Sequence, residues 1–250
     1  MKRFVFPVLF IYLGLGVYLY LEQRSFIYFP VQSHSQASDL QQLVFDNDGY
    51  QIKTSVLNEG NKKAIIYFGG NAENVDYNAE RFKKMFPEYA IYLFKYRGYA
   101  GSGGEPSEKA IYADALRLYD LLQKKHEEIA LIGRSLGSAV ATYVAAKKEV
   151  KKLVLVTPFD SVLNVAQKQY PIYPIGLMLK DRHDSLSRVK QIRARTLVVA
   201  AENDTIIDMS HTKNLVKAFS LPVDFHIIED ANHNNIANFE RYNALLINFM

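Results

Sequence analysis

The chain has no cysteine in its 250 residues. That removes disulfides, thiolate nucleophiles, thiolate zinc sites and cysteine lipidation together, and leaves the compartment open. A dense lysine and arginine block is also missing. Thirty basic side chains against 26 acidic ones give a net charge of +4. The tightest basic cluster, Lys147-Lys148 with Lys151-Lys152, reads as a solvated helix end before a strand, so nucleic acid is not an expected partner. No Gly-Lys-Ser/Thr follows the glycine-rich stretch Tyr96 to Gly104, which excludes a phosphate-binding P-loop and leaves a mobile connection. Internal repeats and low-complexity tracts are absent. What remains is a globular composition, 49% hydrophobic, with length enough for one sizeable core.

Long apolar runs are present once. Phe4 to Leu21 carries no charge, and about 17–25 such residues span a bilayer as a helix. Nothing resembling an A-x-A cleavage site follows, and Tyr12, Tyr18 and Tyr20 suit an interfacial belt. The expectation is an uncleaved, single-pass N-terminal transmembrane helix within residues 1–24, with a buried core helix as the competing reading. Lys2 and Arg3 precede the run and only Arg24 closely follows it. That asymmetry points to a cytoplasmic N-terminus with the bulk of the chain on the other side. Residues 25–42 read as a connector, in which Phe26, Ile27, Tyr28 and Phe29 either pack on the domain or sit at the membrane interface.

From residue 43 onward, strands and helices alternate. A hairpin turning at Asp46 to Gly49 comes first, then a buried strand over Lys63 to Phe68 and a helix from Ala72 to Phe86. A strand over Tyr89 to Lys95, an amphipathic helix over Glu108 to Lys125 and further strands at 129–133, 153–156, 196–201 and 223–228 complete the pattern. Near-continuous apolar strands separated by helices imply a mostly parallel sheet covered on both faces, with functional groups at the carboxyl ends of strands. Residues 43–250 read as one domain, with a cap insertion over 159–192.

Gly133-Arg134-Ser135-Leu136-Gly137 lies between an apolar strand and a helix of small residues, the context that a Gly-x-Ser-x-Gly nucleophile turn requires. A serine hydroxyl needs a base, and the base an orienting carboxylate, in the chain order Ser, Asp/Glu, His. Of the histidines after Ser135, His226 falls inside a strand, His211 on a helix and His183 in the insertion. His233 stands in the loop beyond the last strand and is the candidate base. Asp204, in the loop after the 196–201 strand, is the candidate acid. Asp208 reads as the N-cap of the next helix, and Asp230 is the fallback acid. The oxyanion donors expected are the backbone N–H groups of Leu136 and Asn71.

In order along the chain, these motifs resemble the α/β-hydrolase superfamily, and within it the membrane-anchored Bem46-like branch (the type of α/β-hydrolase domain-containing proteins 13 and 17). Gly69-Gly70-Asn71-Ala72-Glu73-Asn74 is similar to that branch's H-G-N-A-x-N segment, and Tyr96 to Gly104 to its Y-R-G-Y-G-x-S-x-G stretch. The elbow itself, Asp181-Arg182-His183-Asp184-Ser185 and Asn232-His233-Asn234 match in turn. The resemblance covers nearly the whole chain. Four positions depart from it: Gly69 replaces a usual His, Lys95 an Asp, His183 a Phe, and Arg195-Thr196 lacks a common proline.

The resulting expectation is a serine hydrolase of the esterase, thioesterase or lysophospholipase kind, with Ser135 as nucleophile, His233 as base and Asp204 as orienting acid. The resemblance implies carboxylic ester or thioester substrates, and the apolar N-terminus favours lipid-like acyl groups. No metal or organic cofactor is implied, and no obligate protein partner is evident. The apolar cap stretch Tyr170 to Leu179 suits an acyl pocket and equally suits plain packing of cap on core. A serine peptidase on the same fold and a membrane-tethered binding module with a vestigial site are the alternatives. A dehalogenase would need an Asp nucleophile, which Ser135 excludes.

Overall fold

The computed structural model describes residues 2–32 and 40–250. Segments rich in β-branched, aliphatic and aromatic residues form eight strands among the described residues: β1 (Gln42–Asn47), β2 (Tyr50–Leu57), β3 (Lys63–Phe68), β4 (Tyr89–Phe94), β5 (Glu128–Arg134), β6 (Lys152–Val156), β7 (Arg195–Ala201) and β8 (Val223–Ile228). They make one sheet in the order β1-β2-β4-β3-β5-β6-β7-β8. β1, β2 and β4 pair antiparallel and every later pairing is parallel. The hairpin turns at Asp48 and Gly49, both at positive φ, the two-residue geometry that matches strand twist. Asp46 and Asn47, expected in the turn, belong to β1 instead.

Alternation along the strands builds two cores. On β3, Ala64, Ile66 and Phe68 point into one, where α3 (Glu108–Leu122), α4 (Leu136–Ala145) and α7 (Met209–Ala218) cover the sheet. Ile65 and Tyr67 point into the other, covered by α2 (Ala79–Met85) and α8 (Glu240–Phe249). The helix expected from Ala72 starts later. The Asn74 side chain accepts the N–H of Asp76 and opens a tight helical turn over Val75–Asn78, and only then does α2 begin. Between β6 and β7 lie α5 (Val162–Gln169) and α6 (Ile175–Met178).

The N-terminal run folds as α1 (Lys2–Glu22), but the expected transmembrane span is not borne out. Among the described residues no helix is long and apolar enough to cross a membrane. The side chains of residues 2–5, at the start of the expected span, lie outside what is described. One face of α1 is also committed elsewhere. Tyr12, Gly16, Leu19 and Gln23, spaced to share a helix face, are the less exposed positions of the segment. Tyr12 stacks on Tyr173 with centroids 4.7 Å apart and donates to the Ile172 carbonyl at 2.8 Å. Gln23 donates to the Met178 carbonyl and accepts from the Lys180 N–H, and Arg24 pairs with Asp181 at 2.9 Å. The opposite face, with Phe6 74% and Phe10 79% exposed, is apolar and uncovered. Residues 33–39 of the expected connector lie outside the described residues. Phe26 and Phe29 are exposed, while Ile27 and Tyr28 pack into the core.

Candidate active site

Three parallel strands end where the chemistry gathers. After β5 the chain turns sharply at Ser135, whose backbone takes φ 50° and ψ −117° before α4 begins. A non-glycine residue there is strained, and the surroundings must hold it. The elbow glycines are what permit the crossing. A Cβ on Gly133 would overlap the Gly137 carbonyl, and one on Gly137 would overlap the carbonyl of Phe68 at the end of β3. Only glycine lets these backbones approach so closely.

The loops after β7 and β8 bring Asp204 and His233 to this turn. His233 Nε2 lies 3.0 Å from Ser135 Oγ, and His233 Nδ1 lies 2.7 Å from Asp204 Oδ2. The other Asp204 oxygen accepts the N–H groups of Ile206 and Ile207 at 2.9 and 2.8 Å. These bonds fix the carboxylate and assign the proton to Nδ1, leaving Nε2 to accept from the serine. Ser135, Asp204 and His233 are therefore brought together. Asp208 instead caps α7 through the N–H of Ser210. Asp230 is exposed at a positive-φ turn. Asn71 and Leu136 both line the cavity beside Ser135, and a Cβ on Gly70 would stand 3.8 Å from the Ser135 Cβ.

Two further residues, Glu73 and Arg134, were not singled out from the sequence. Glu73 Oε2 accepts the Gly70 N–H at 2.8 Å and Arg134 Nη1 at 3.0 Å, while Oε1 accepts from Tyr67 and Asn78, each at 2.6 Å. Arg134 also donates to the backbone carbonyl of His233 at 3.0 Å. One ion pair thus ties the Gly70–Glu73 turn, the sharp turn at Ser135 and the His233 loop together. Burial pushes the Glu73 carboxyl up, but the Arg134 guanidinium and the donated hydrogen bonds outweigh it and hold it below the usual carboxylate value. Burial likewise opposes the charge on Arg134, and Glu73 more than restores it. The signal available in the sequence was an arginine at the end of an apolar strand, which demands a carboxylate partner when buried.

The departures from the family pattern find physical roles. With Gly69 in place of histidine, the turn is held by Glu73 and by Tyr96, whose hydroxyl donates to the Gly69 carbonyl at 2.7 Å. Lys95 forms a fully buried ion pair with Asp76 at 2.8 Å. His183 is enclosed between two phenols: Nε2 is 2.8 Å from the Tyr28 hydroxyl and Nδ1 is 3.0 Å from that of Tyr112. Tyr28 in turn reaches Asp181 at 3.3 Å. If that phenol donates to the carboxylate, Nε2 carries the proton and Nδ1 accepts from Tyr112. Burial, aided by Arg188, lowers the His183 pKa to about 3, so the ring is neutral.

A cavity of about 980 Å³ opens over Ser135 and His233. Its lining is dominated by aliphatic and aromatic side chains drawn from the cap, from α1 and from the segment that follows α1.

Residues 63–180 match a family model described as the alpha/beta hydrolase fold. An uncharacterized protein of Mycobacterium tuberculosis, Rv2307c, is 30% identical over 89% of this chain and 84% of its own length. The human alpha/beta hydrolase domain-containing protein 17B is 27% identical over 64% of this chain and 56% of its own. Among solved structures, the esterase Pf2001 of Pyrococcus furiosus superposes with a TM-score of 0.69 at 16% identity, covering 89% of this chain and 97% of that one. At that identity the likeness speaks for the fold alone.

Proposed function

Because the chain belongs to the α/β-hydrolase family, we propose that it is a serine hydrolase cleaving carboxylic ester or thioester bonds of lipid-like acyl substrates. The observation that carries this reading is the unbroken Ser135–His233–Asp204 hydrogen-bond chain, 3.0 and 2.7 Å long, at the mouth of an apolar cavity. His233 Nε2 takes the Ser135 proton as Oγ attacks the acyl carbonyl. Asp204 keeps the imidazole in the accepting tautomer and stabilises the imidazolium that forms. The N–H groups of Leu136 and Asn71 receive the developing oxyanion, and a single such donor is typically worth about 3 kcal/mol. His233 then returns the proton to the leaving alcohol or thiol. Water, activated by the same base, releases the acid from the acyl-enzyme.

The uncovered apolar face of α1 supports a location on a lipid surface. In this reading α1 lies in the bilayer interface with its exposed phenylalanines in the acyl region and its other face against the cap. Flotation with anionic liposomes tests it. Replacing Phe6 and Phe10 with serine is expected to shift the protein from the lipid to the soluble fraction, and unchanged flotation argues against it.

The test of activity is fluorophosphonate labelling of the full chain, wild type against Ser135→Ala and His233→Ala. Labelling lost in both variants supports an activated serine. A folded wild type that resists labelling overturns the reading and favours a binding module.

A further inference from the structure

Besides the loops that carry Asn71, Tyr77, Ile206, Ile207 and His233, two segments line the cavity beside Ser135. The cap supplies one, with Ile175, Met178 and Leu179 among its residues. The other comes from the N-terminal part of the chain, in Leu19, Phe26 and Ile27. We infer that this N-terminal wall is an acyl-chain subsite, that Leu19 and Phe26 set the chain length accepted at Ser135, and that the ligand is a long single acyl chain. The inference rests on reading Ser135 as the acyl-transfer nucleophile.

Three observations carry it. First, the wall is fixed in place. Leu19 sits between Gly16, against which Tyr173 packs so closely that a Cβ would stand 3.2 Å from its ring, and Gln23, bonded to the backbone of Met178 and Lys180. A tether that merely trailed from the domain would have no such register. Second, the segment after α1 is bonded to the candidate oxyanion turn. The Phe29 N–H donates to the Asn71 carbonyl at 3.1 Å, and the Asn71 amide donates to the Ile27 carbonyl at 3.2 Å. The Tyr99 hydroxyl closes the arrangement, accepting from the Phe29 N–H and donating to the Asn71 carbonyl. The wall and the reacting carbonyl are thus held in one frame. Third, the cavity has room for a long acyl chain. At about 30 Å³ per water-sized group, a chain of about sixteen carbons fills roughly half of the 980 Å³.

Each additional methylene buried against such a wall is worth roughly fourfold in kcat/KM. The experiment compares p-nitrophenyl esters from butyrate to palmitate, hydrolysed by the full chain in mixed micelles. Rates are normalised to the fraction labelled by a small fluorophosphonate. For the wild type, kcat/KM is expected to climb with chain length and to be highest at long chains. Leu19→Trp fills the wall, and the palmitate-to-butyrate ratio is expected to fall at least tenfold. Phe26→Ala removes wall surface, and the same ratio is expected to fall severalfold. Leu177→Ala is the control: this cap residue is 88% exposed and outside the cavity, and its ratio is expected to match the wild type. An active, labelled wild type whose length profile is untouched by both wall substitutions overturns the subsite and leaves the hydrolase reading standing. A wild type that neither labels nor hydrolyses any ester removes the hydrolase reading, and the subsite with it.

Discussion

The enclosed histidine makes stability depend on pH in a way that can be worked out in advance. His183 has an ordinary value near 6.5 and, buried in the folded chain, one of about 3. The groups facing it are Tyr28 after α1, Tyr112 on α3, and Asp181 and Arg188 of the cap. Above pH 6.5 the ring is neutral in both states and contributes no pH dependence. As pH falls below 6.5 the unfolded chain takes up a proton that the folded chain refuses, so stability is lost at about 1.4 kcal/mol per pH unit. By pH 3 the loss is on the order of 5 kcal/mol. His183→Phe removes this slope. It also leaves two buried phenols each short of a partner, at a cost of about 2 kcal/mol at neutral pH. The variant is therefore expected to be the weaker protein at pH 8 and to draw level near about pH 5, where the wild type has lost a similar amount. Urea midpoints of the full chain in detergent, followed by far-UV circular dichroism at pH 8, 7, 6 and 5, read both curves. Parallel curves for the two proteins would refute the reasoning.

Glu73→Gln keeps the shape of the side chain but leaves Arg134 without its counter-charge. Because both side chains retain some exposure, 12% and 19%, the expected cost is about 3 kcal/mol, at the lower end for a broken buried pair. Thermal melts read that cost, and steady-state kinetics should show kcat reduced about tenfold with KM little changed, as the Gly70 and His233 backbones lose a shared anchor. An unaltered kcat removes Glu73 from the positioning of the site. The carboxyl is held below its ordinary value. Its contribution is therefore complete above about pH 4.5 and lost as pH falls through its lower folded value, a transition that the variant should lack. Lys95→Met alone leaves Asp76 buried and unpaired, and denaturant unfolding should show a loss of about 3–5 kcal/mol. Lys95→Met with Asp76→Leu is expected to recover most of it, since both carboxylate oxygens of Asp76 lack well-formed hydrogen bonds in the pair. A double variant as unstable as the single one contradicts this account.

The sheet was readable because its strands are short apolar runs closed by turn residues, and periodicity reports such runs directly. The positions of Ser135, Asp204 and His233 were readable for a related reason: each follows a strand, and parallel strands deliver their following loops to one edge. The start of α2 was not, because a side-chain bond from Asn74 competes with helix at that point and local propensity does not register it. The docking face of α1 was hidden by composition. Where every residue is apolar, Tyr12, Gly16 and Leu19 do not stand out by hydrophobicity, and only partners such as Ile172, 160 residues beyond Tyr12, mark the face. Glu73 with Arg134, and Lys95 with Asp76, are long-range pairings of charges, and sequence shows the need for a partner without naming it. The same holds for His183, whose neighbours come from three separate parts of the chain.

The interlocking of the first helix with the cap also sets an order of events during synthesis. Tyr12 and Ile172 are 160 residues apart, and Tyr28 and His183 are 155 apart. At about 5–20 residues per second a ribosome needs on the order of ten to thirty seconds to cover that distance. Throughout that interval the newly made helix has no cap to lie on, and the phenol of Tyr28 has no imidazole. Although α1 emerges before the other described helices, it is thus among the last to dock, and the strands from β3 to β6 are complete before it can do so. An apolar helix waiting that long invites aggregation unless lipid or a chaperone shelters it. A bilayer at the site of synthesis would therefore serve the chain first as a holding place and only later as a working surface.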